Sequence, residues 1–542
     1  MQAAIYTDTL KPAWPHCLAH VANIRLAGIV ACIGVLLAHT ALADVSANTL
    51  TNLPPQVAQA LQQSGIPDSH IGLVVQEIDG TPLLAHGGNR TLNPASVMKL
   101  LTTLATLDRL GPAHTFKTTV WLNGPLKEGV LSGNLVLQGG GDPGMTVERF
   151  WLMLREMRLR GLREIQGDVL LDNRLYALNA QDPAAFDQAP LRPYNAPIAP
   201  LLVNFNTYSL RIHHEGEQPS VQLDPPAPGI HLDNRLHGSE GPCNANGSRI
   251  TTRLHESTLI IEGQYSRTCG VRSEALNLQT PQTTMADWFK AVWSELGGVL
   301  HGQVKVLQEG HAVPVNAGSI NSGSLSPDPM SPAESLSGPA ATEFAKFDSP
   351  PLSLLVRDVN KFSSNVMAKM LLLNLAAAQL GAPATPEKGD TAIRTWLTER
   401  NLHQPELVLE NGAGLSRVER MTAAGIANLL VWAAHQPIYY EFAASLPAVG
   451  VDGTQKNRFN NIQTAGKAWL KSGTLRGVSN IAGYVLGPDG QRRILVLLIN
   501  HPNANLSLPV QHALLEWAML TPAAHTQAIH QNSAKFSDKP VN

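Results

Sequence analysis

Several things are scarce in this chain. An excess of charge of one sign is missing: 40 Lys and Arg stand against 42 Asp and Glu, a formal net charge of −2, and only 15% of the 542 residues are charged. That balance lacks the electrostatic footprint of a nucleic-acid binder. A long apolar run is missing too. The stretch from Leu26 to Ala38 is short of the roughly 20 apolar residues that a membrane span needs. Cysteine is rare, at four residues, and no histidine spacing completes a zinc site around any of them. No internal repeat is found, which excludes a solenoid.

What is present is a globular composition. Hydrophobic residues make up 44% of the chain, enough for sizeable cores, and the length suggests three or four domains. Arg25 precedes the apolar run, which leads to Ala41-Leu42-Ala43, a small-x-small cleavage pattern. Residues 1–43 are therefore expected to be a signal peptide and the mature chain periplasmic. An uncleaved signal anchor and a start downstream of Met1 stay open. Cleavage would take away Lys11, Arg25 and Asp8 and leave 38 basic against 41 acidic residues, a net charge of −3. Cys17 and Cys32 would go with the leader. In an exported protein the remaining pair, Cys243 and Cys269, most simply forms one disulfide. Closing that loop would stabilise by roughly 3 kcal/mol on the loop-entropy argument. His213-His214-Glu215 has no spaced partner and reads as surface.

The first half of the chain alternates between strand and helix signals. Leu53–Ser64 reads as a helix, Ile71–Asp79 and Thr81–His86 as a hairpin around Asp79-Gly80. Val97, Leu100, Leu101, Leu104 and Leu107 recur at helical spacing until Gly111-Pro112 stops them. Strands are expected at Lys117–Leu122, Asn134–Gln138 and Asp168–Asp172, with a helix over Thr146–Arg160. Gly139, Gly141 and Gly144 formally match G-x-G-x-x-G. Pro143 removes an N–H that a pyrophosphate would need and Asp142 would repel it, so a tight turn is the reading. Short strands follow at Ser209–His213, Arg249–Leu254, Ser257–Gln264 and Gly302–Gln308, with a helix at Thr283–Leu296. A Ser/Pro-rich linker covers 312–344. Helices follow at Leu352–Asn360, Val366–Leu380, Thr391–Arg400 and Ala423–Ala434. Ala468–Lys471 reads as a buried strand that ends at Ser472-Gly473-Thr474. A hairpin and the helix Leu508–Leu520 follow, then a polar tail over 523–542.

Three short pieces carry chemistry. Ser96-Val97-Met98-Lys99 places a hydroxyl and an amine on one helical turn. A serine is a weak nucleophile until a neighbouring base takes its proton, and a lysine can do that when burial and nearby cations lower its pKa. Ser363-Ser364-Asn365 puts a hydroxyl and an amide between two helices, able to relay a proton and hold a substrate amide. Lys471-Ser472-Gly473 sets a cation at a strand end, and Gly473 lets a substrate backbone approach. Taken singly, each has a plainer reading: a helix start at Ser96, a capping serine at Ser363, an edge lysine at Lys471.

In this order and context the three pieces match the S-x-x-K, S-x-N and K-[TS]-G set of serine β-lactamases and penicillin-binding proteins. The chain resembles the class C low-molecular-mass penicillin-binding proteins, the D-alanyl-D-alanine carboxypeptidase/endopeptidase family. The resemblance runs from about Leu73 to Leu520. It includes Gly139-Gly140-Gly141-Asp142-Pro143, Val203-Asn204-Phe205-Asn206, Val359-Asn360-Lys361-Phe362-Ser363, Asn411-Gly412-Ala413-Gly414-Leu415-Ser416-Arg417 and Gly450-Val451-Asp452-Gly453-Thr454. Ser364 and Ser472 depart from the commoner residues at positions that do not act. The 263 residues between Lys99 and Ser363 are too many for a structureless loop.

The resemblance implies an α+β fold of the penicillin-binding-protein/serine β-lactamase type, an antiparallel sheet flanked by helices plus a helical lobe, with two nested inserted domains. The catalytic domain is expected over 44–115 and 345–522, the inserted domain over 116–203 and 283–311, and a nested β-rich domain over 204–282. It further implies that Ser96 is acylated by D-alanyl peptides, with Lys99, Ser363, Asn365 and Lys471 catalytic. Ser472, Gly473 and Thr474 would bind substrate, and the N–H groups of Ser96 and Thr474 would form the oxyanion hole. No metal or cofactor is called for. The expected partners are peptidoglycan stem peptides, β-lactams as inhibitors, at most a peripheral membrane contact, and a homodimer as self-association. A β-lactamase or esterase on the same fold is the rival reading, and a catalytically silent wall-binding protein is another.

Overall fold

A computed structural model describes residues 53–244, 248–307, 341–459 and 463–522. The expected leader, the polar tail and most of the expected linker lie outside the described residues. No helix among the described residues is long and apolar enough to cross a membrane.

The sheet that carries the site is assembled from both ends of the chain. Its spatial order is Ala468–Leu475, Val478–Leu486, Arg492–Ile499, Ile71–Glu77, Pro82–His86, antiparallel throughout. Ile71–Glu77 is buried along its whole length because both sheet faces are covered. The period of two sorts its side chains. Val74, Ile494, Val496 and Leu498 face the helical lobe, while Leu73, Val75, Leu495, Leu497 and Ile499 pack with Pro55–Ser64 and Leu508–Leu520.

The helical lobe is built from Lys99–Leu110, Leu352–Phe362, Asn365–Leu380, Pro386–Glu399 and Ala423–Ala434. Asn365–Leu380 is apolar on nearly every side, the pattern of a helix buried all round. Met367, Leu371 and Leu375 pack into the lobe, and Val366, Met370 and Leu373 pack against Tyr176, Ile198 and Leu202 of the inserted segment.

The insertion folds around sheets of its own. One has the order Val304–Val306, Val169–Asp172, Asn134–Gln138, Lys117–Asn123, Thr342–Asp348 and shares a core with the helices Val147–Leu159 and Pro281–Glu295. Two three-stranded sheets drawn from Tyr208–Leu276 enclose a further core, and there Cys243 and Cys269 form a disulfide.

Some elements differ from their sequence-based outlines. Thr342–Asp348 is not linker and does not open the catalytic part: it is a strand paired with Lys117–Leu122, since Phe344 and Phe347 pack on the core of the inserted sheet. The strand Ala468–Leu475 runs through Ser472-Gly473-Thr474 instead of stopping there, because a turn at Arg476-Gly477 (Gly477 φ +77°) carries the ladder on to Val478. The helix expected from Thr391 begins at Pro386, where the Thr385 hydroxyl accepts the Lys388 N–H at 3.2 Å. His214 is not a free surface residue: its ring stacks on Tyr265.

Candidate active site

Ser96 sits in a 3-10 turn, Ala95–Met98, that feeds the helix Lys99–Leu110. It is therefore not a helix cap. Ala95 has φ +45°, a left-handed conformation that a non-glycine residue holds only when its surroundings force it. The force is visible. Asn93 Oδ1 accepts the Ala95 N–H at 2.8 Å, and Asn93 Nδ2 donates to Ser416 O at 2.8 Å. The Asn93 carbonyl accepts from Asn480 Nδ2 at 3.0 Å and Asn500 Nδ2 at 3.1 Å. The turn that carries Ser96 is thereby pinned to the end of the central sheet.

Lys99 is fully buried and points back at Ser96. Its Nζ donates to Ser96 Oγ at 2.9 Å, to Asn365 Oδ1 at 2.7 Å and to the Ala413 carbonyl. Burial, reinforced by the neighbouring Lys471 charge, holds its pKa well below the ordinary lysine range. Lys471 is fully buried as well, and burial pushes its pKa down to about 7. Its Nζ donates to Ser363 Oγ at 2.8 Å and to the Ser472 carbonyl at 2.9 Å. Two buried lysines thus each touch a serine hydroxyl, an arrangement suited to moving protons.

Ser363 ends the helix Leu352–Phe362 with φ +60°. The capping role falls to Ser364, whose hydroxyl accepts the Met367 N–H at 3.3 Å and starts the next helix. Asn365, in that helix's first turn, takes Lys99 with its oxygen, and its Nδ2 donates to Tyr194 O at 3.2 Å. Gly473 lies against the Ser96 turn, where an added Cβ would sit 2.6 Å from Pro94 O and 3.0 Å from Ser96 N. Ser472 lies 3.4 Å, oxygen to oxygen, from Thr454. All three motifs converge on one cleft, while the disulfide belongs to the separate β-rich part. Beside the cleft opens a cavity of about 510 Å³ lined by Phe186, Asn195, Lys369, Asn411, Ser416 and Arg417, among others, with Arg417 stacked 4.7 Å above the Phe186 ring.

Two groups at the site lie outside the three motifs. The Ala413 carbonyl on Lys99 comes from the loop Asn411–Arg417. Gly414 in that loop (φ +78°) leaves no room for a side chain, since a Cβ would collide with Ala95 O. Glu419 is fully buried behind the same loop, its Oε1 accepting N–H groups of Glu410, Asn411 and Gly412 at 2.9–3.1 Å. The turn-rich spelling Asn-Gly-Ala-Gly was the available signal, but nothing local says that it lies under Lys99.

The chain is 28% identical to a D-alanyl-D-alanine carboxypeptidase of an Actinomadura species, covering 88% of this chain and 86% of the relative. It is 22% identical to a D-alanyl-D-alanine carboxypeptidase of Haemophilus influenzae over 80% of this chain and 85% of the relative. The crystal structure of Haemophilus influenzae penicillin binding protein 4 shares the fold with a TM-score of 0.68 at 21% identity, covering 86% of this chain and 99% of that one. A second structure of that protein, complexed with a novel β-lactam, gives a TM-score of 0.64 at 20% identity over 86% of this chain and all of that one. Residues 53–319 and 333–519 match the D-Ala-D-Ala carboxypeptidase 3 (S13) family, to which the chain belongs as a serine hydrolase of peptidoglycan.

Proposed function

We propose that the chain cleaves D-alanyl bonds of peptidoglycan stem peptides and cross-links through an acyl-enzyme on Ser96, as a periplasmic carboxypeptidase and endopeptidase. The observation that carries the reading is the pair of buried lysines: Lys99 on the Ser96 hydroxyl and Lys471 on the Ser363 hydroxyl. Neutral Lys99 takes the Ser96 proton as Oγ attacks the carbonyl carbon between the last two D-alanines. The oxygen that becomes negative is received by the N–H groups of Ser96 and Thr474, assigned here by family resemblance. As the C–N bond breaks, the proton that Lys99 took from Ser96 is relayed through the Ser363 hydroxyl to the leaving amine, and Lys99 is neutral again. Asn365 holds the substrate amide, and Lys471, Ser472 and Thr474 hold the terminal carboxylate. Water then attacks the ester and frees Ser96.

The cavity beside Asn411 and Arg417 gives the rest of the stem peptide room to lie next to Ser96. A β-lactam amide mimics the D-alanyl bond, so penicillins should acylate the same oxygen, in keeping with the β-lactam complex of the Haemophilus influenzae relative. The test is incubation with purified monomeric and cross-linked muropeptides followed by mass analysis. Loss of one alanine from pentapeptide monomers and conversion of dimers to monomers are expected. Untouched muropeptides alongside rapid turnover of penicillin would replace this reading with a β-lactamase.

A further inference from the structure

Glu419 is a carboxylate where a carboxylate is costly to bury. It has no solvent exposure, and its Oε2 is buried with no hydrogen-bond partner among the described residues. Its Oε1, by contrast, accepts three consecutive backbone N–H groups: Glu410 at 3.1 Å, Asn411 at 2.9 Å and Gly412 at 3.0 Å. Burial raises the pKa of this carboxyl, and the three converging amides oppose that shift by favouring the ionised form, as an anion cradle does. The next residue along, Ala413, gives its carbonyl to Lys99 Nζ.

The loop is locked around that carbonyl. Asn411 Oδ1 accepts the Ala413 N–H at 2.9 Å, and Thr102 Oγ1 donates to Gly412 O at 2.7 Å. Ser416 Oγ accepts the Glu419 N–H at 3.0 Å. At the base, Val408 and Arg420 exchange backbone hydrogen bonds, and Met421 pairs with Leu92, one residue before Asn93. The ionisable groups that act on this region are Glu410 and Lys369, at the wall of the large cavity, together with Lys99 itself and Lys471 beyond it.

We propose that Glu419 is a positioning residue for the acyl-transfer reaction: it pins the loop that sets the Ala413 carbonyl on Lys99 and supplies the buried negative charge that tunes Lys99 as a base. The proposal rests on Lys99 being the base for Ser96. An anion close to a buried amine favours the protonated amine. Removing the anion while keeping the shape therefore lets Lys99 lose its proton at lower pH. Removing the side chain altogether releases the loop and the Ala413 carbonyl it sets on Lys99, a misplacement at the reacting centre that costs on the order of 100-fold.

The experiment is the pH profile of the second-order rate of acylation by a fluorescent penicillin, with thermal melts, for wild type, Glu419→Gln, Glu419→Asp and Glu419→Ala. Gln keeps the shape and loses the charge, so its acid limb moves to lower pH. Asp keeps the charge on a shorter arm, so it acylates more slowly with the limb where wild type has it. Ala slows acylation on the order of 100-fold. A Gln limb superimposed on that of wild type overturns the proposal; if Gln does not fold, a displaced limb in Asp does so. A purely structural role would lower melting temperatures and leave the limb in place. A wild-type enzyme with no acid limb at all would refute Lys99 as the base, an outcome distinct from failure of the Glu419 assignment.

Discussion

Gly473→Ala adds one methyl group at the most crowded point of the cleft. The new carbon would lie 2.6 Å from Pro94 O, 3.0 Å from Ser96 N and 3.1 Å from Ala95 Cβ. The first contact is about 0.8 Å short of an ordinary van der Waals separation. Two of these neighbours are backbone atoms that cannot swing aside. The turn they belong to is held by Asn93, whose N–H donates to Asn500 Oδ1 at 2.7 Å and whose carbonyl takes both Asn480 and Asn500. The strain therefore goes into the spacing between the Lys471 strand and Ser96. A misplacement approaching 1 Å at a reacting centre costs on the order of 100-fold in rate, or about 2.7 kcal/mol of barrier. Overpacking should destabilise the fold by about 1–3 kcal/mol. The assay is the second-order rate of fluorescent-penicillin labelling beside a thermal melt. A folded Gly473→Ala variant that labels within about threefold of wild type, well short of the roughly 100-fold loss expected, would refute the claim that Gly473 packs against the nucleophile turn.

Ser96→Ala should abolish labelling and alanine release with little change in melting temperature, because Lys99 keeps Asn365 Oδ1 and the Ala413 carbonyl; a large loss of stability would make Ser96 mainly structural. Lys471→Ala should slow acylation at normal folding. It should also move the acid limb of the profile to higher pH: the Lys471 charge is one of the influences that depress Lys99, so its removal lets Lys99 hold its proton longer. Unchanged acylation in that variant would refute its role. Replacing both Cys243 and Cys269 by serine should lower stability by roughly 3 kcal/mol, read by denaturant titration, with labelling intact. A loss of labelling in the folded double variant would show that the β-rich part supports the cleft.

The site was legible in the sequence where chemistry is written locally. Ser96 and Lys99 lie within one turn, Ser363 and Asn365 within one loop, and Lys471, Ser472 and Gly473 along one strand, so residue type and spacing offer each piece, and their order and the family resemblance join the three. What was not legible depends on contacts between distant positions. Ala413 reaches Lys99 across 314 positions, and Asn480 and Asn500 reach Asn93 across 387 and 407. Nothing in their neighbourhoods announces the partner. Glu419 reads locally as one more charged loop residue; only burial makes it conspicuous. Thr342–Asp348 was hidden for a related reason. It follows a stretch rich in Ser and Pro, and its partner strand, Lys117–Asn123, lies more than two hundred residues upstream. The strand that carries Lys471 runs on through Gly473, although glycine usually weakens a strand. Here the missing side chain is what allows Pro94–Ser96 to pack against it.

The central claim is that the Ser96 oxygen is the acylated atom. Intact-mass analysis after incubation with a penicillin, followed by peptide mapping, addresses it directly. One adduct of the β-lactam's mass is expected, carried by the peptide containing Ser96 and absent from Ser96→Ala. An adduct on another peptide, or none under conditions that label a control enzyme, would contradict it.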